Sequence, residues 1–143
     1  MIILDTNVLS ALMSRVQDGK VIDWLDRQPR TSIWTTSVTI LEIRFGLQVL
    51  PAGKRRAGLM RAFEIVLVDK IGGRIAFFDT AAAQQAADLM ASRHRQGRPR
   101  ELRDTMIAGI VLASRATLAT RNVSHFADLT VPVVTPWDNG ESL

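Results

Sequence analysis

The chain opens with the stretch Ile2-Ile3-Leu4-Asp5-Thr6-Asn7-Val8, in which an apolar run stops abruptly at an acid. A short apolar run that ends at polar residues is typical of a strand buried in a parallel sheet. Helical periodicity follows at once, in residues 7–13 and again in residues 18–27. The sequence therefore predicts that the first element is a strand and that Asp5 stands at its carboxyl end.

The same alternation of short apolar runs and helix-like segments continues along the chain. Further strands are predicted at residues 32–35, 75–78, 117–120 and 131–134. Further helices are predicted at residues 37–50, before Pro51, at residues 54–70, from Asp79 or Thr80 to Gly97, and from Asp104 onward. This order indicates an α/β fold with a parallel sheet of about five short strands flanked by helices. In such folds ligands bind at the carboxyl ends of the strands.

The composition is that of one compact domain spanning residues 1–143, with 47% hydrophobic and 22% charged residues. No run approaches the roughly 20 apolar residues of a membrane-spanning helix, so no membrane contact is expected. The amino-terminal segment lacks the basic region of a secretion signal, and the absence of cysteine excludes disulfides, thiol catalysis and cysteine-based zinc sites. These features are compatible with a soluble cytoplasmic protein, which is the location we expect.

The basic residues are unusual in kind. The formal net charge is only +4, but 15 of the 18 basic residues are arginine. The planar guanidinium group suits phosphate better than the ammonium group of lysine does. This bias is suggestive of a polyanionic partner.

Three acids lie at or near predicted strand ends: Asp5 after the first strand, Glu42 one turn into the helix after the second, and Asp104 at the start of a later helix. Each has a simple structural explanation. Asp5 and Asp104 suit helix N-caps, and Glu42 fits a capping box with Thr39, although Ser37 is a competing cap. Their common placement supports the further hypothesis that they converge in one crevice.

A cluster of three carboxylates would raise its own pKa values unless a cation were present. Oxygen ligands without histidine or cysteine favour Mg²⁺ or Mn²⁺ over zinc. Such a metal can lower the pKa of a bound water, hold a phosphate oxygen and neutralise the charge that builds on a leaving oxygen. The chemistry predicted from these residues is hydrolysis of a phosphodiester.

Four segments of the sequence resemble the PIN domain, and within it the VapC-like toxins of bacterial toxin–antitoxin pairs, especially the FitB-like subgroup. The segments are residues 3–8, 39–46, 104–108 and 118–123, the last of which precedes Phe126. No single motif is specific, but the four occur in order and the resemblance covers nearly the whole chain.

The resemblance implies an endoribonuclease of the PIN-domain fold that depends on Mg²⁺, for which Mn²⁺ can substitute. Asp5 and Asp104 would hold the metal, and Glu42 would either join them or position the attacking water. It also implies a homodimer and a small antitoxin that carries a DNA-binding domain. Two alternatives remain open at this point: a PIN-domain nuclease that processes RNA outside toxin–antitoxin systems, and a weakened PIN domain that binds RNA or protein without cutting.

The chain departs from the family pattern at two positions. A fourth acid is common where this chain has Asn122, which keeps a carbonyl oxygen but loses the charge, and by the resemblance Asn122 is the fourth candidate catalytic residue. The residue before Phe126, often Asp in relatives, is His125 here. A lost carboxylate could weaken a second metal, so the number of metals stays open. Thr120 and Asn7 are candidates for orienting the ligands, although both also suit purely structural roles.

The arginines before Asp104 and the three tryptophans are further candidates for contact with RNA. Arg98, Arg100 and Arg103 directly precede Asp104, and they form either a solvated loop or a surface that tracks an RNA backbone. The three tryptophans could stack on RNA bases, but nothing in their spacing links them to the acids. For Trp24, Trp34 and Trp137 we therefore expect core or interface positions.

Overall fold

The computed structural model describes residues 1–138, which contain five parallel strands in the order β3-β2-β1-β4-β5. The strands are β1 (Ile2–Leu4), β2 (Ile33–Thr36), β3 (Ile75–Ala76), β4 (Thr117–Ala119) and β5 (Val133–Val134). The helices are α1 (Thr6–Met13), α2 (Gly19–Asp26), α3 (Ser37–Gln48), α4 (Lys54–Val66), α5 (Thr80–Arg95) and α6 (Leu102–Ser114). The predicted α/β fold with a five-stranded parallel sheet is confirmed.

The central strand β1 determines which residues meet at the edge of the sheet. It pairs with β2 on one side and with β4 on the other, and Leu4 is in register with Ala119. Because both strands are parallel and end at this pair, the next residues, Asp5 and Thr120, emerge side by side. The Asp5 amide donates to the Ala119 carbonyl, with 3.1 Å between nitrogen and oxygen.

Helices cover both faces of the sheet. Side chains alternate between the faces of a strand, and Ile3 and Leu4 accordingly belong to two different core clusters. Leu4 packs with buried residues of α1 to α4, while Ile3 packs with buried residues of α5 and α6. Both side chains are fully buried, so β1 is fixed from both sides.

The close packing of α5 on α6 depends on Gly109. A Cβ atom added at this position would lie 2.5 Å from the Ala82 carbonyl oxygen and 2.8 Å from the Ala86 Cβ. Any larger residue would push the helices apart. Gly109 therefore fixes the position of α6, and with it the position of Asp104 near the start of that helix.

Several helix ends agree with prediction and others differ. Asp5 caps α1 and Asp79 caps α5, each accepting a backbone amide, and Gly97 follows α5 with a positive φ of 68°. The predicted start of α6 at Asp104 is wrong, because the helix begins at Leu102 and Asp104 is its third residue. Both predicted caps of α3 are also wrong, because the Thr36 hydroxyl accepts the Thr39 amide.

Some predicted elements are longer than those observed. β3 and β5 each keep only two residues of their predicted runs, and the helix predicted at residues 54–70 changes after Val66 into a π-helical turn at Leu67–Ile71. In residues 1–138 no helix has the length and apolarity needed to cross a membrane.

Candidate active site

Asp5 lies at the carboxyl end of β1 and is almost completely buried, with 6% of its surface exposed. Its Oδ1 accepts the Val8 amide at 3.2 Å, which is the N-cap bond of α1. Its Oδ2 accepts the Thr120 hydroxyl. Capping and a role in the site are thus compatible, because the two oxygens of one carboxylate serve different partners.

Burial raises the pKa of Asp5 to about 6, because the charged form loses hydration. The bonds from Thr120 and Val8 lower the pKa, and the nearby Asp104 charge raises it again. The backbone amide of Asn7 also lowers it, while the Asn7 side chain is exposed. Ionised Asp5 is therefore a destabilised anion in the protein alone.

Glu42 lies on α3, six residues after the N-cap, where a capping box cannot form. The hydroxyl of Thr6, the residue next to Asp5, donates to Glu42 Oε1 at 2.7 Å. On the other side, Glu42 Oε2 is 3.7 Å from Arg103 Nε. Glu42 is thus tied to the start of α1 and to the start of α6.

Asp104 is partly buried in the first turn of α6. Burial raises the pKa of Asp104, and the Glu101 carboxylate adds to this, while His125, Arg93 and Arg103 act in the opposite direction. Asp5 and Asp104 are close enough for their charges to interact. We call Asp5, Glu42 and Asp104 together the acid corner.

The acid corner offers the type of ligand that Mg²⁺ and Mn²⁺ prefer, because all its donors are carboxylate oxygens. Burial raises the pKa of Asp5 and of Asp104, as expected for carboxylates that a bound cation would stabilise in their charged form. Within residues 1–138, however, no three or more Asp, Glu or His side chains are grouped so that they could together hold a metal ion. The donor set therefore fits a divalent cation bound by two acids, with water or substrate completing its coordination.

Thr120 links the end of β4 to the acid corner. Its hydroxyl donates to Asp5 and accepts the backbone amide of Asn122 at 3.0 Å. This bond places Asn122 beside the site through its main chain. His125 follows in a short 3₁₀ turn, Val123–Phe126, near enough to Asp104 for its charge to lower the pKa of that acid.

The basic residues before Asp104 divide into two groups. Arg98 and Arg100 are exposed. Arg103 instead pairs with two carboxylates. Its Nε is 2.9 Å from Glu101 Oε1 and 3.7 Å from Glu42 Oε2. These carboxylates raise the pKa of the Arg103 guanidinium. Of the three predicted RNA contacts, only Arg103 is in direct contact with the acid corner.

Sequence reasoning missed Arg93, which is only 3% exposed. Its guanidinium makes a bidentate pair with Asp128 at 2.8 and 2.9 Å, and it donates to the Thr105 hydroxyl and to the His125 carbonyl. We call Arg93 with these three partners the arginine clamp. The spacing of Arg93 after the buried residues of α5 was the available signal; those residues are Ala82, Ala86 and Leu89.

The tryptophans occupy the positions expected of core residues, with one addition. Trp24, Trp34 and Trp137 are partly buried and pack against the core clusters. The Arg121 guanidinium also lies over the Trp137 ring, 4.8 Å from its centroid. Because Arg121 directly follows Thr120, this tryptophan is near the acid corner, which its sequence position did not reveal.

A parallel α/β sheet with acids gathered at its carboxyl edge defines the class of protein. The model of the PIN domain family matches residues 2–130, and the chain belongs to that family. It is 36% identical to the VapC ribonuclease Y4jK of Sinorhizobium fredii and 30% identical to the toxin FitB of Neisseria gonorrhoeae. Each match covers 96% of this chain and 99% of the relative. The crystal structure of FitAcB from Neisseria gonorrhoeae superimposes with a TM-score of 0.85 at 30% identity, over 96% of this chain and 99% of that one.

Proposed function

We propose that this protein is a Mg²⁺-dependent endoribonuclease and the toxin of a toxin–antitoxin pair, acting in the cytoplasm. The observation that carries the proposal is the acid corner: Asp5 is buried at the carboxyl end of β1, its neighbour Thr6 binds Glu42, and Glu42 lies 3.7 Å from Arg103, the residue before Asp104. Family membership and the relatives named VapC ribonuclease and toxin FitB support the same activity. Asp5 and Asp104 would hold the metal, for which Mn²⁺ can substitute.

The residues of the chain have distinct tasks in this mechanism. When bound, the metal activates a water and neutralises charge on the scissile phosphate. Thr120 and the Val8 amide hold the Asp5 carboxylate in one orientation. Glu42, held by Thr6, would accept a proton from the attacking water. The water oxygen would bond to phosphorus as the bond from phosphorus to the leaving ribose oxygen breaks, and the leaving oxygen would take up a proton from solvent.

Arginines bind the rest of the RNA in this proposal. Arg98 and Arg100 are exposed on the segment that leads into α6, and they can contact phosphates without reading sequence. Arg103 limits the negative charge around Glu42 and contacts the backbone nearest the site. We also propose that the protein forms a homodimer and binds an antitoxin that carries a DNA-binding domain; the structure of FitAB bound to a DNA fragment supports the second of these partners.

The test uses single-stranded RNA with Mg²⁺, with Mn²⁺ and with chelator. Wild type should cut only with metal, and Asp104→Asn should reduce cleavage at least about 100-fold, because it removes a charged ligand. Asp88→Asn, which changes an exposed acid on α5, is the matched control and should cut normally. Cleavage that persists in chelator, or that Asp104→Asn leaves undiminished, would show the mechanism to be wrong.

The second candidate function is RNA binding without cleavage, by a PIN domain whose catalytic site is weakened. It is favoured by Asn122, which lacks the charge of the usual fourth acid, and by the absence of a three-ligand group in residues 1–138. Such a protein would bind RNA without cutting it and would show no change on metal titration. Wild-type cleavage that rises with Mg²⁺ excludes this alternative.

A further inference from the structure

A cavity next to the acid corner has no part in the mechanism above. It has a volume of about 330 Å³, and its lining includes Asn7 and Ser10 of α1, Ser14 just after that helix, Arg121 and Trp137. This volume lies at the lower limit of ligand pockets in proteins. The cavity is therefore large enough for one flat polar group but too small for a folded segment.

Two residues that line the cavity are close in sequence to Asp5 and to its hydrogen-bond partner Thr120. Asn7 is two residues after Asp5, and Arg121 directly follows Thr120, whose hydroxyl binds Asp5. These two parts of the lining therefore begin at the carboxyl ends of β1 and β4, where the metal and the scissile phosphate would lie. A nucleotide next to that phosphate would reach the cavity without any change in the fold.

Arg121 and Trp137 pair with each other in the lining of the cavity, and we call this pair the Arg121–Trp137 platform. The Trp137 ring packs against the core, and its backbone amide donates to the Thr135 hydroxyl at 3.3 Å. Arg121 is exposed and its guanidinium lies over this ring. The guanidinium is thus held against the ring and is still exposed, so it is available for stacking. Unpaired RNA bases stack on guanidinium planes and on aromatic rings.

The remaining polar lining of the cavity carries groups that suit the edge of a base. Asn7 offers both a donor and an acceptor, and Ser10 and Ser14 offer hydroxyls. Asn7 and Ser10 are exposed on α1, and Ser14, which follows the helix as its C-cap, is exposed as well. A stacking pair that shares a cavity with amide and hydroxyl groups is expected of a subsite that holds a single base.

We propose that this cavity is a nucleobase subsite, in which a base of single-stranded RNA next to the cleaved bond stacks on Arg121 and Trp137. The proposal rests on the proposed function, because it assumes that RNA occupies the acid corner. It assigns part of the sequence preference of cleavage to the Arg121–Trp137 platform and to Asn7. The exposed Arg98 and Arg100 would then contribute affinity that does not depend on sequence.

The first experiment maps cleavage in a single-stranded RNA pool of randomised sequence, with Mg²⁺ and with fragment ends sequenced. Wild type should show a base preference at one position beside the cut. Trp137→Leu and Arg121→Lys should lose that preference and lower kcat/KM about 5- to 100-fold, mainly through KM, because stacking holds the base. Trp137→Phe keeps an aromatic ring and should restore most of both.

The matched controls come from the second arginine–aromatic pair and from another tryptophan. Arg44 lies over Phe63 at 5.4 Å but is ion-paired with Glu64, and Trp24 packs on the same core cluster as Trp137. Arg44→Lys and Trp24→Leu should leave the base preference unchanged. Arg121→Lys alters only an exposed side chain, so it tests the platform even if Trp137→Leu fails to fold.

A binding measurement separates failure of this subsite from failure of the proposed function. The affinity of the protein for a pool-derived RNA strand is compared with that for the same strand lacking one base, in chelator. If wild type does not cut but prefers the intact strand, and Arg121→Lys does not, the subsite holds while the nuclease proposal falls. Equal preference in wild type and Arg121→Lys overturns the subsite. Variants that cut normally but lose affinity for an antitoxin also overturn it, because the surface would then bind protein.

Discussion

The acid corner and the arginine clamp are two charged sites that each include a residue from the first turn of α6, and they differ in whether the buried charge has a partner of opposite sign. In the clamp, Arg93 lowers the pKa of Asp128, and each charge has its partner. In the acid corner, burial raises the pKa of Asp5 to about 6, and its neighbour Asp104 is another acid. The clamp is complete within the protein, whereas the acid corner would gain stability from a bound cation.

The clamp can be broken by Arg93→Met, which removes the buried guanidinium. We expect the free energy of unfolding to fall by about 3 kcal/mol, because the Thr105 hydroxyl, the His125 carbonyl and Asp128 all lose a partner. Asp128 is 40% exposed and can be rehydrated, which keeps the loss below that of a fully buried pair. Urea denaturation measures the change.

Arg95→Met is the matched control for the clamp, because Arg95 is exposed on the same helix. It should change the free energy of unfolding by no more than about 0.5 kcal/mol. An equal loss in both variants would show that the buried contacts of Arg93 contribute nothing specific.

Removing the buried charge of the acid corner should raise the free energy of unfolding, which is the opposite of the effect expected for Arg93→Met. Asp5→Asn removes the buried charge but keeps an oxygen that can accept the Val8 amide. In chelator at pH 8 we expect the variant to be more stable than wild type by about 2 kcal/mol, since a pKa raised by about two units corresponds to at most about 3 kcal/mol.

The pH dependence of this gain follows from the direction of the shift. The folded protein holds the Asp5 proton up to about pH 6, whereas the unfolded chain releases it near pH 4. Wild-type stability from this group is therefore full below about pH 4 and is lost as the pH rises to about 6. The advantage of Asp5→Asn should disappear as the pH is lowered towards 4. A constant advantage at all pH values would contradict the raised pKa.

The substitution Thr120→Val tests whether the Thr120 hydroxyl orients the Asp5 carboxylate. Of the changes proposed here, we expect it to have the smallest effect. The valine removes the bond to Asp5 and leaves the Asn122 amide without its acceptor. We expect RNA cleavage to fall about 10-fold, in the range seen when groups that orient metal ligands are removed. Thr120→Ser keeps the hydroxyl and should restore cleavage. If valine and serine variants cut equally well, the hydroxyl has no part in the site.

Much of the fold and the position of Asp5 could be predicted from the sequence, because these features depend on local patterns. The alternation of strands and helices, the position of Asp5 after β1 and its cap on α1 all follow from short apolar runs and from side chains near their own backbone. The start of α6 could not be predicted as well, because Asp104 and Glu101 both suit its first turn. The choice between them depends on tertiary packing.

The remaining features depend on contacts between distant residues. Arg93 lies in a basic stretch that is typical of a surface, and its burial depends on its pairing with Asp128, 35 positions away, which the sequence does not reveal. The Arg121–Trp137 platform likewise requires the chain to return past β5 to the end of β4. The roles of Asp5, Glu42, Asp104 and Asn122 in catalysis stay predictions, as does the extent of the domain.

The central claim is that the acid corner binds a divalent cation through Asp5 and Asp104. The most direct test is the unfolding temperature of wild type, Asp5→Asn and Asp104→Asn as Mn²⁺ or Mg²⁺ is added at pH 8. A cation that binds only the folded state raises the unfolding temperature as its concentration rises. We predict a saturable rise in wild type that is absent or much weaker in both variants. A wild type that shows no rise, or variants that rise equally, would contradict the claim.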